Sequence, residues 1–134
     1  MKGTKTMSVY IAEDSDVVRE RLIALLSEIE GIEIAGQSSD APGAVNAIRK
    51  LKPDVVILDI QMPGGNGIDV LRQIKTDAMP PVVIMFSNHP HLEEKCFNTG
   101  ADFFFDKSTE HNELIDTVKS VTTNFTRPGH NATI

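Results

Sequence analysis

The chain has little of what secreted, membrane-spanning or nucleic-acid-binding proteins require. It contains a single cysteine among 134 residues, which excludes an internal disulfide. No apolar run approaches the roughly 18 residues of a membrane span, and the N-terminus has no apolar core of a secretory signal. The net charge is −6, whereas binding to a phosphate backbone requires clustered Lys and Arg. We therefore expect a cytoplasmic domain that binds neither membrane nor nucleic acid directly.

Short β-rich runs alternate with helical patterns along the chain. The length and a hydrophobic content of 40% suit one globular domain. Runs such as Val55–Leu58 and Val82–Phe86 are apolar at every position, which is typical of parallel strands covered on both faces. The predicted strands are Ser8–Ala12, Ile32–Ser38, Val55–Asp59, Val82–Ser87 and Asp102–Phe105.

Five helical patterns are interleaved with these strands. Ser15 is expected to cap the first helix, Asp40 the second, and Ser108 or Thr109 the last. The fourth pattern, His91–Thr99, is the weakest, because its apolar face is limited to about three side chains. A helix held by so few contacts is among the easier elements to move.

The order of these elements predicts an α/β fold. Five βα units imply a doubly wound, five-stranded parallel sheet with five helices and right-handed crossovers. We place the domain at residues 7–123, with residues 1–6 and 124–134 as flexible tails. In such folds, binding sites form at the carboxyl ends of the strands.

Polar residues follow the predicted strands at these ends. The first strand leads to Glu13 and Asp14, the third to Asp59, the fourth to Ser87 and the fifth to Lys107. Three neighbouring acids raise one another's pKa unless a cation intervenes, and Mg²⁺ prefers carboxylates, waters and phosphate oxygens as ligands. An ionised Asp beside Mg²⁺ can attack phosphorus and form an aspartyl phosphate. Lys107 and the Ser87 hydroxyl then suit the phosphoryl oxygens.

The ordered set resembles the receiver domain of two-component response regulators over about residues 7–122. Each motif is weak alone, but their order and their places at strand ends are specific. The resemblance implies a flavodoxin-like strand order 2-1-3-4-5, and Ala101–Ser108 is similar to stand-alone, chemotaxis-regulator-like receivers. The matching motifs are Glu13-Asp14, Leu58-Asp59-Ile60-Gln61-Met62-Pro63-Gly64, Ser87 ending a hydrophobic strand, and Lys107 after Gly100-Ala101-Asp102-Phe103-Phe104-Phe105.

The resemblance also implies roles for the acids. Asp59 would accept a phosphoryl group from a sensor histidine kinase or a histidine phosphotransfer protein. Asp14, Asp59 and the backbone carbonyl of Gln61 would hold Mg²⁺, with Mn²⁺ as an alternative, and Glu13 would act through a water. The domain would be no enzyme beyond its own phosphorylation and dephosphorylation.

Three further residues would form the phosphoryl-binding and switch set. Ser87 and Lys107 would hold the phosphoryl oxygens, and Phe104 would change rotamer as Ser87 moves. The face formed by the fourth helix, the fifth strand and the fifth helix would then change and control a downstream protein target. A phosphorylation-dependent homodimer through the fourth and fifth helices is a further expectation.

The chain departs from the family pattern at several positions. Phe104 lacks the hydroxyl that tyrosine often supplies there. Ser108 replaces a common proline, and a cis peptide before a non-proline residue costs roughly 3 kcal/mol, so the sequence leaves the cis or trans geometry of the Lys107–Ser108 peptide open. Gln61, Asn88 and His89 occupy positions that tend to set the dephosphorylation rate.

Two alternative functions stay open at this point. A phosphohydrolase of the haloacid dehalogenase type also uses a strand-end Asp with Mg²⁺, but needs a second Asp where this chain has Gln61. A degenerate receiver could serve as a constitutive interaction module, although the intact acids and Lys107 argue against it. The chain is either a stand-alone receiver or the receiver of a longer protein.

Overall fold

The computed structural model describes residues 6–126, with side chains through residue 124. The five long strands are β1 (Met7–Ala12), β2 (Ile32–Ser38), β3 (Val55–Leu58), β4 (Val82–Ser87) and β5 (Phe103–Asp106). The helices are α1 (Asp16–Ser27), α2 (Ala41–Leu51), α3 (Gly67–Lys75), α4 (Glu93–Thr99) and α5 (His111–Thr126). A 3₁₀ turn (Pro90–Leu92) precedes α4, and two short segments between β3 and α3, Gln61–Met62 and Gly65–Asn66, pair antiparallel.

The long strands form one sheet in the order β2-β1-β3-β4-β5, and each neighbouring pair is parallel. This confirms the predicted doubly wound sheet and the order 2-1-3-4-5. Helix α5 ends at Thr126, beyond the predicted domain boundary at residue 123. Residues 1–5 and 127–134 of the predicted tails lie outside the described residues. Within the described part of the chain, no helix is long and apolar enough to span a membrane.

Side-chain caps set the starts of the first two helices. The Ser15 hydroxyl accepts the Val18 N–H at 3.3 Å, and the Asp40 carboxylate accepts the Gly43 N–H at 2.7 Å. Pro42 lies in the first turn of α2. The backbone N–H groups of a first turn have no acceptor within the helix, so proline, which lacks an N–H, fits there. Both predicted caps are therefore confirmed.

The predicted cap of α5 is wrong. The helix begins at His111, so neither Ser108 nor Thr109 is adjacent to its first turn. The Asp106 carboxylate instead accepts the Ser108 N–H at 2.9 Å and the Ser108 hydroxyl at 2.6 Å. The Ser108 side chain therefore stabilises the turn after β5 rather than the helix.

Alternation along the strands divides the core between the two faces of the sheet. Phe104 is buried on the face covered by α2, α3 and α4. Phe103 and Phe105 are half-buried on the face covered by α1 and α5, and their rings stack with centroids 6.4 Å apart. The sheet is thus covered on both sides, which leaves the ends of its strands as the place for a site.

Helix α4 is the most weakly anchored of the helices, as its sequence indicates. Of its described residues, only Cys96 is buried, and Phe97 is 42% exposed. Leu92, in the turn before it, is partly buried against the core. Few contacts thus oppose a movement of this helix.

Candidate functional site

Three acids meet where β1 and β3 end. The two strands are neighbours, with Ala12 opposite Leu58, and the acids follow these residues directly. One carboxylate oxygen each of Glu13, Asp14 and Asp59 lies within 4.8 Å of the others. Glu13 and Asp59 are buried, whereas Asp14 is exposed. The structure therefore brings together the three acids that the sequence predicts.

Lys107 is the counter-ion of this acidic site. Its Nζ lies 2.9 Å from Glu13 Oε1 and 3.0 Å from Asp59 Oδ2, and its side chain is 11% exposed. It follows β5 directly, and its backbone N–H donates to the Ser87 carbonyl at 3.0 Å. One cation is thus shared between two buried carboxylates.

Burial and the neighbouring charges shift the pKa values of both Asp59 and Lys107. Burial raises the pKa of Asp59 to about 7, and the charge of Glu13 adds to this effect, while Lys107 opposes it. Burial on its own lowers the pKa of Lys107, but the hydrogen bond to Glu13 and the charges of Asp59 and Glu13 outweigh it and raise that pKa. One lysine therefore does not compensate the acids fully, and a further cation is favoured here.

The loop after β3 folds back tightly over Asp59. Asp59 Oδ1 accepts the Ile60 N–H at 2.7 Å, and the Gly67 N–H donates to the Ile60 carbonyl at 2.6 Å. A Cβ at position 67 would lie 1.9 Å from the Asp59 carbonyl oxygen. Glycine is therefore required at this close approach, a role that the sequence pattern did not reveal because Gly67 reads only as part of a turn.

Gln61 lies beside the acids. It is exposed, begins the short antiparallel pair, and lines the same groove as Asp14. The Pro63 carbonyl accepts the Ala41 N–H at 3.0 Å, which ties this loop to the start of α2. The Gln61 carbonyl as a metal ligand stays a prediction.

The end of β4 contributes Ser87, which is fully buried. Its hydroxyl oxygen accepts the His89 N–H at 2.9 Å, a bond that does not use the hydroxyl hydrogen. Asn88 is exposed and His89 half-buried in the loop that follows. Their effect on dephosphorylation stays a prediction.

Phe104 pairs in register with Met85 of β4 and is 8% exposed. It belongs to the same buried cluster as Cys96 of α4. This location connects β5 to the weakly held helix, and the rotamer switch of Phe104 stays a prediction.

Besides Gly67, two residues that contact the site were not predicted from the sequence. Arg19 donates from Nη1 to the Glu13 carbonyl and from Nε to Gln37 Oε1, both at 2.7 Å, and so fixes the loop between β1 and α1. The ring of His111 contacts the Lys107 carbonyl. Lys107 lies in the turn before α5, so helical spacing does not indicate His111, and no sequence pattern marks Arg19.

Known proteins are similar to this chain in sequence and fold. The family model for the response regulator receiver domain matches residues 9–119. An uncharacterized response regulatory protein of Vibrio cholerae is 35% identical over 113 residues, which cover 84% of this chain and 47% of that protein. The structure of a LuxR-family DNA-binding response regulator from Staphylococcus aureus is 30% identical, with a TM-score of 0.79 over 87% of this chain and 98% of the other. A chain in the CheX–CheY–BeF₃–Mg²⁺ complex from Borrelia burgdorferi is 29% identical, with a TM-score of 0.78 over 87% and 90%.

The family match extends over the whole site. The chain spans about half the length of the curated relatives it matches. The matched range runs from before Glu13 to beyond Lys107, so it contains the three acids, the buried serine and the lysine. The chain belongs to the family of response regulator receiver domains.

Proposed function

We propose that this domain is a phosphorylation-dependent signalling switch in which Asp59 accepts a phosphoryl group from a phosphohistidine. Receiver domains are signalling switches rather than classical enzymes. The observation that carries the assignment to Asp59 is its buried carboxylate, 3.0 Å from the Lys107 ammonium and beside Glu13 and Asp14. The donor would be a sensor histidine kinase or a histidine phosphotransfer protein. Since the chain belongs to the receiver family, the haloacid dehalogenase alternative is not proposed.

The donor set fits a hard divalent cation. Three carboxylates converge within 4.8 Å, while Lys107 pairs with only two of them. Asp14 and Asp59 would hold Mg²⁺ together with the Gln61 carbonyl, and Glu13 would act through a water. Bound Mg²⁺ supplies positive charge that offsets repulsion between the carboxylates and an incoming phosphoryl group. The similar Borrelia complex contains Mg²⁺.

The transfer step uses the carboxylate of Asp59 as a nucleophile. One carboxylate oxygen attacks phosphorus, an O–P bond forms and the P–N bond to the donor imidazole breaks. The electron pair of the P–N bond returns to the imidazole nitrogen. Lys107 Nζ, already 3.0 Å from Asp59, reaches the new phosphoryl oxygens with little movement, and the Ser87 hydroxyl hydrogen supplies a further hydrogen bond.

The proposed readout is a change in the face formed by α4, β5 and α5. Ser87 and Phe104 lie on the strands before and after α4, and Cys96 is the buried residue of that helix. A phosphoryl group adds nearly two negative charges and three acceptors beside Ser87. Amide hydrogen exchange should therefore change over α4, β5 and α5 on phosphorylation, and an unchanged pattern there would contradict the proposed output face.

Phosphorylation with a small donor tests the proposal. The protein is incubated with Mg²⁺ and acetyl phosphate, and its intact mass is measured. One added phosphoryl group is expected in the wild type and in Asp69→Asn, which removes an exposed acid in the first turn of α3 that pairs with Arg72. No addition is expected in Asp59→Asn. A label that survives Asp59→Asn, or no label in the wild type, would refute the assignment.

A further inference from the structure

The segment that carries Lys107 is fixed by side chains rather than by a proline. The Lys107–Ser108 peptide bond is trans, as are the other peptide bonds of the described chain. The Asp106 carboxylate accepts the N–H and hydroxyl of Ser108, and the Glu110 carboxylate accepts the Asp106 N–H at 2.9 Å. These bonds order the turn, but none of them contacts the N–H or the carbonyl oxygen of Lys107 itself.

His111 makes that contact. Its ring Nε2 lies 2.5 Å from the carbonyl oxygen of Lys107, four residues earlier in the chain. A carbonyl only accepts hydrogen bonds, so Nε2 must carry the hydrogen. On the other side of Lys107, its N–H donates to the Ser87 carbonyl at 3.0 Å. Both main-chain polar groups of Lys107 are therefore held, one by the end of β4 and one by the start of α5.

The ring of His111 also packs on the strand that ends in Ser87. It meets Phe86 edge to face, with the centroids 5.2 Å apart and the planes at 82°. Phe86 is fully buried and immediately precedes Ser87. His111 thus contacts the main chain of one phosphoryl-binding residue and the neighbour of the other.

The second ring nitrogen of His111, Nδ1, bears on the role of this side chain. Nδ1 is buried and has no hydrogen-bond partner within the part of the chain that the structure describes. An unpaired buried polar atom costs free energy, and such atoms in native structures call for an explanation. Among the described residues, the polar contact of the ring is the one between Nε2 and the Lys107 carbonyl. We take this hydrogen bond to offset the free-energy cost of the unpaired Nδ1.

We infer that His111 is a positioning residue for phosphoryl transfer: its Nε2–H bond to the Lys107 carbonyl, with its packing on Phe86, holds the Lys107 ammonium over Asp59. This inference rests on the proposed function. A lysine side chain is long and flexible, so the placement of its Nζ depends on a fixed main chain at its root. His111 fixes the main chain of Lys107 in a loop where Ser108, rather than a proline, follows the lysine.

Two substitutions separate the hydrogen bond from the ring packing. His111→Phe retains an aromatic ring against Phe86 but removes the donor, whereas His111→Gln retains an N–H donor at similar reach. With acetyl phosphate at saturating Mg²⁺, the phosphorylation rate of His111→Phe should fall roughly three- to tenfold, the factor that one hydrogen bond typically contributes. The rate of His111→Gln should stay within about twofold of the wild type. Glu113→Gln, exposed on the same turn of α5, is the matched control.

The affinity for Mg²⁺ distinguishes positioning from general damage. Isothermal titration calorimetry, which needs no tryptophan signal, should give the same Mg²⁺ affinity for His111→Phe and wild type. The ring of His111 contacts Lys107 and Phe86, and neither is a proposed Mg²⁺ ligand. Equal phosphorylation rates in His111→Phe and wild type would overturn the inference. Equal losses in His111→Phe and His111→Gln, or a parallel loss of Mg²⁺ affinity, would also overturn it.

Nuclear magnetic resonance tests the contact without any phosphorylation. In ¹⁵N spectra of the wild type, Nε2 of His111 should carry a hydrogen, and hydrogen on Nδ1 alone would overturn the inference. The Lys107 amide should also exchange more slowly in the wild type than in His111→Phe. If the wild type takes up no phosphoryl group, the proposed function fails, while these spectra still decide whether His111 holds the lysine.

Discussion

Replacing Asp59 by Asn should make the metal-free domain more stable at neutral and alkaline pH. In the folded protein, burial and the charge of Glu13 raise the pKa of Asp59 from 3.8 to about 7. The folded state therefore binds a proton that the unfolded chain has already released between about pH 4 and pH 7. Stability from this group is fully present below the unfolded pKa and is lost as the pH rises through about 7. Asn carries no charge and avoids this loss.

The size of the effect follows from the two pKa values. A pKa raised from 3.8 to about 7 corresponds to roughly 4 kcal/mol of folding free energy once Asp59 is ionised in both states. At about pH 5 the folded carboxyl is still protonated, and the cost is only about 1–2 kcal/mol. The stability advantage of Asp59→Asn should therefore grow by about 2–3 kcal/mol from pH 5 to pH 8. In the variant, Lys107 keeps its ion pair with Glu13. In the wild type, Lys107 Nζ lies 2.9 Å from Glu13 Oε1.

Urea denaturation in the presence of a chelator measures this difference. The free energy of unfolding is determined for wild type and Asp59→Asn at each pH, and Asp116→Asn, an exposed acid on α5, controls for charge removal at the surface. An advantage for Asp59→Asn that does not depend on pH, or a variant less stable than wild type at pH 8, would refute the electrostatic account of the site.

Three further changes test the other parts of the site. Lys107→Met should lower the free energy of unfolding by about 3 kcal/mol near neutral pH, because Glu13 and Asp59 lose their buried cation, and wild-type stability in urea would contradict this pairing. Gly67→Ala should destabilise the domain by at least about 2 kcal/mol in thermal unfolding, since its Cβ would lie 1.9 Å from the Asp59 carbonyl oxygen, and an unaltered melting curve would disprove the close approach. Mg²⁺ at ten times its Kd should stabilise the wild type by about 1.4 kcal/mol, and Asp14→Asn should need more Mg²⁺ for the same shift; identical titrations would exclude Asp14 from the metal site.

The sheet and the acids could be predicted because their signals are local. Runs such as Val55–Leu58 are apolar at every position and end in a carboxylate, so they predict both a buried strand and the place of its acid. The carboxyl ends of parallel strands lie at one edge, and this brings Glu13 and Asp59 together without further information. The caps at Ser15 and Asp40 are equally local, since each bonds an N–H three residues along the chain.

What could not be predicted depends on contacts between distant segments. The close approach of Gly67 to Asp59 arises only when the loop folds back, and the sequence shows merely a glycine in a turn. Arg19 reaches the Glu13 carbonyl because α1 packs beside that loop, for which the sequence has no pattern. The start of α5 was predicted wrongly because a serine hydroxyl can bond either the first N–H groups of a helix or another nearby polar group. In the structure the Ser108 hydroxyl donates to the Asp106 carboxylate.

The central claim is that Asp59 is the residue that carries the phosphoryl group, and its most direct test is chemical mapping. Protein phosphorylated with acetyl phosphate and Mg²⁺ is reduced with borohydride, which converts an aspartyl phosphate to homoserine, and the peptides are sequenced by mass spectrometry. Homoserine is expected at position 59 and at no other acid of the site. Homoserine at position 14, or at any acid outside the site with Asp59 unmodified, would contradict it.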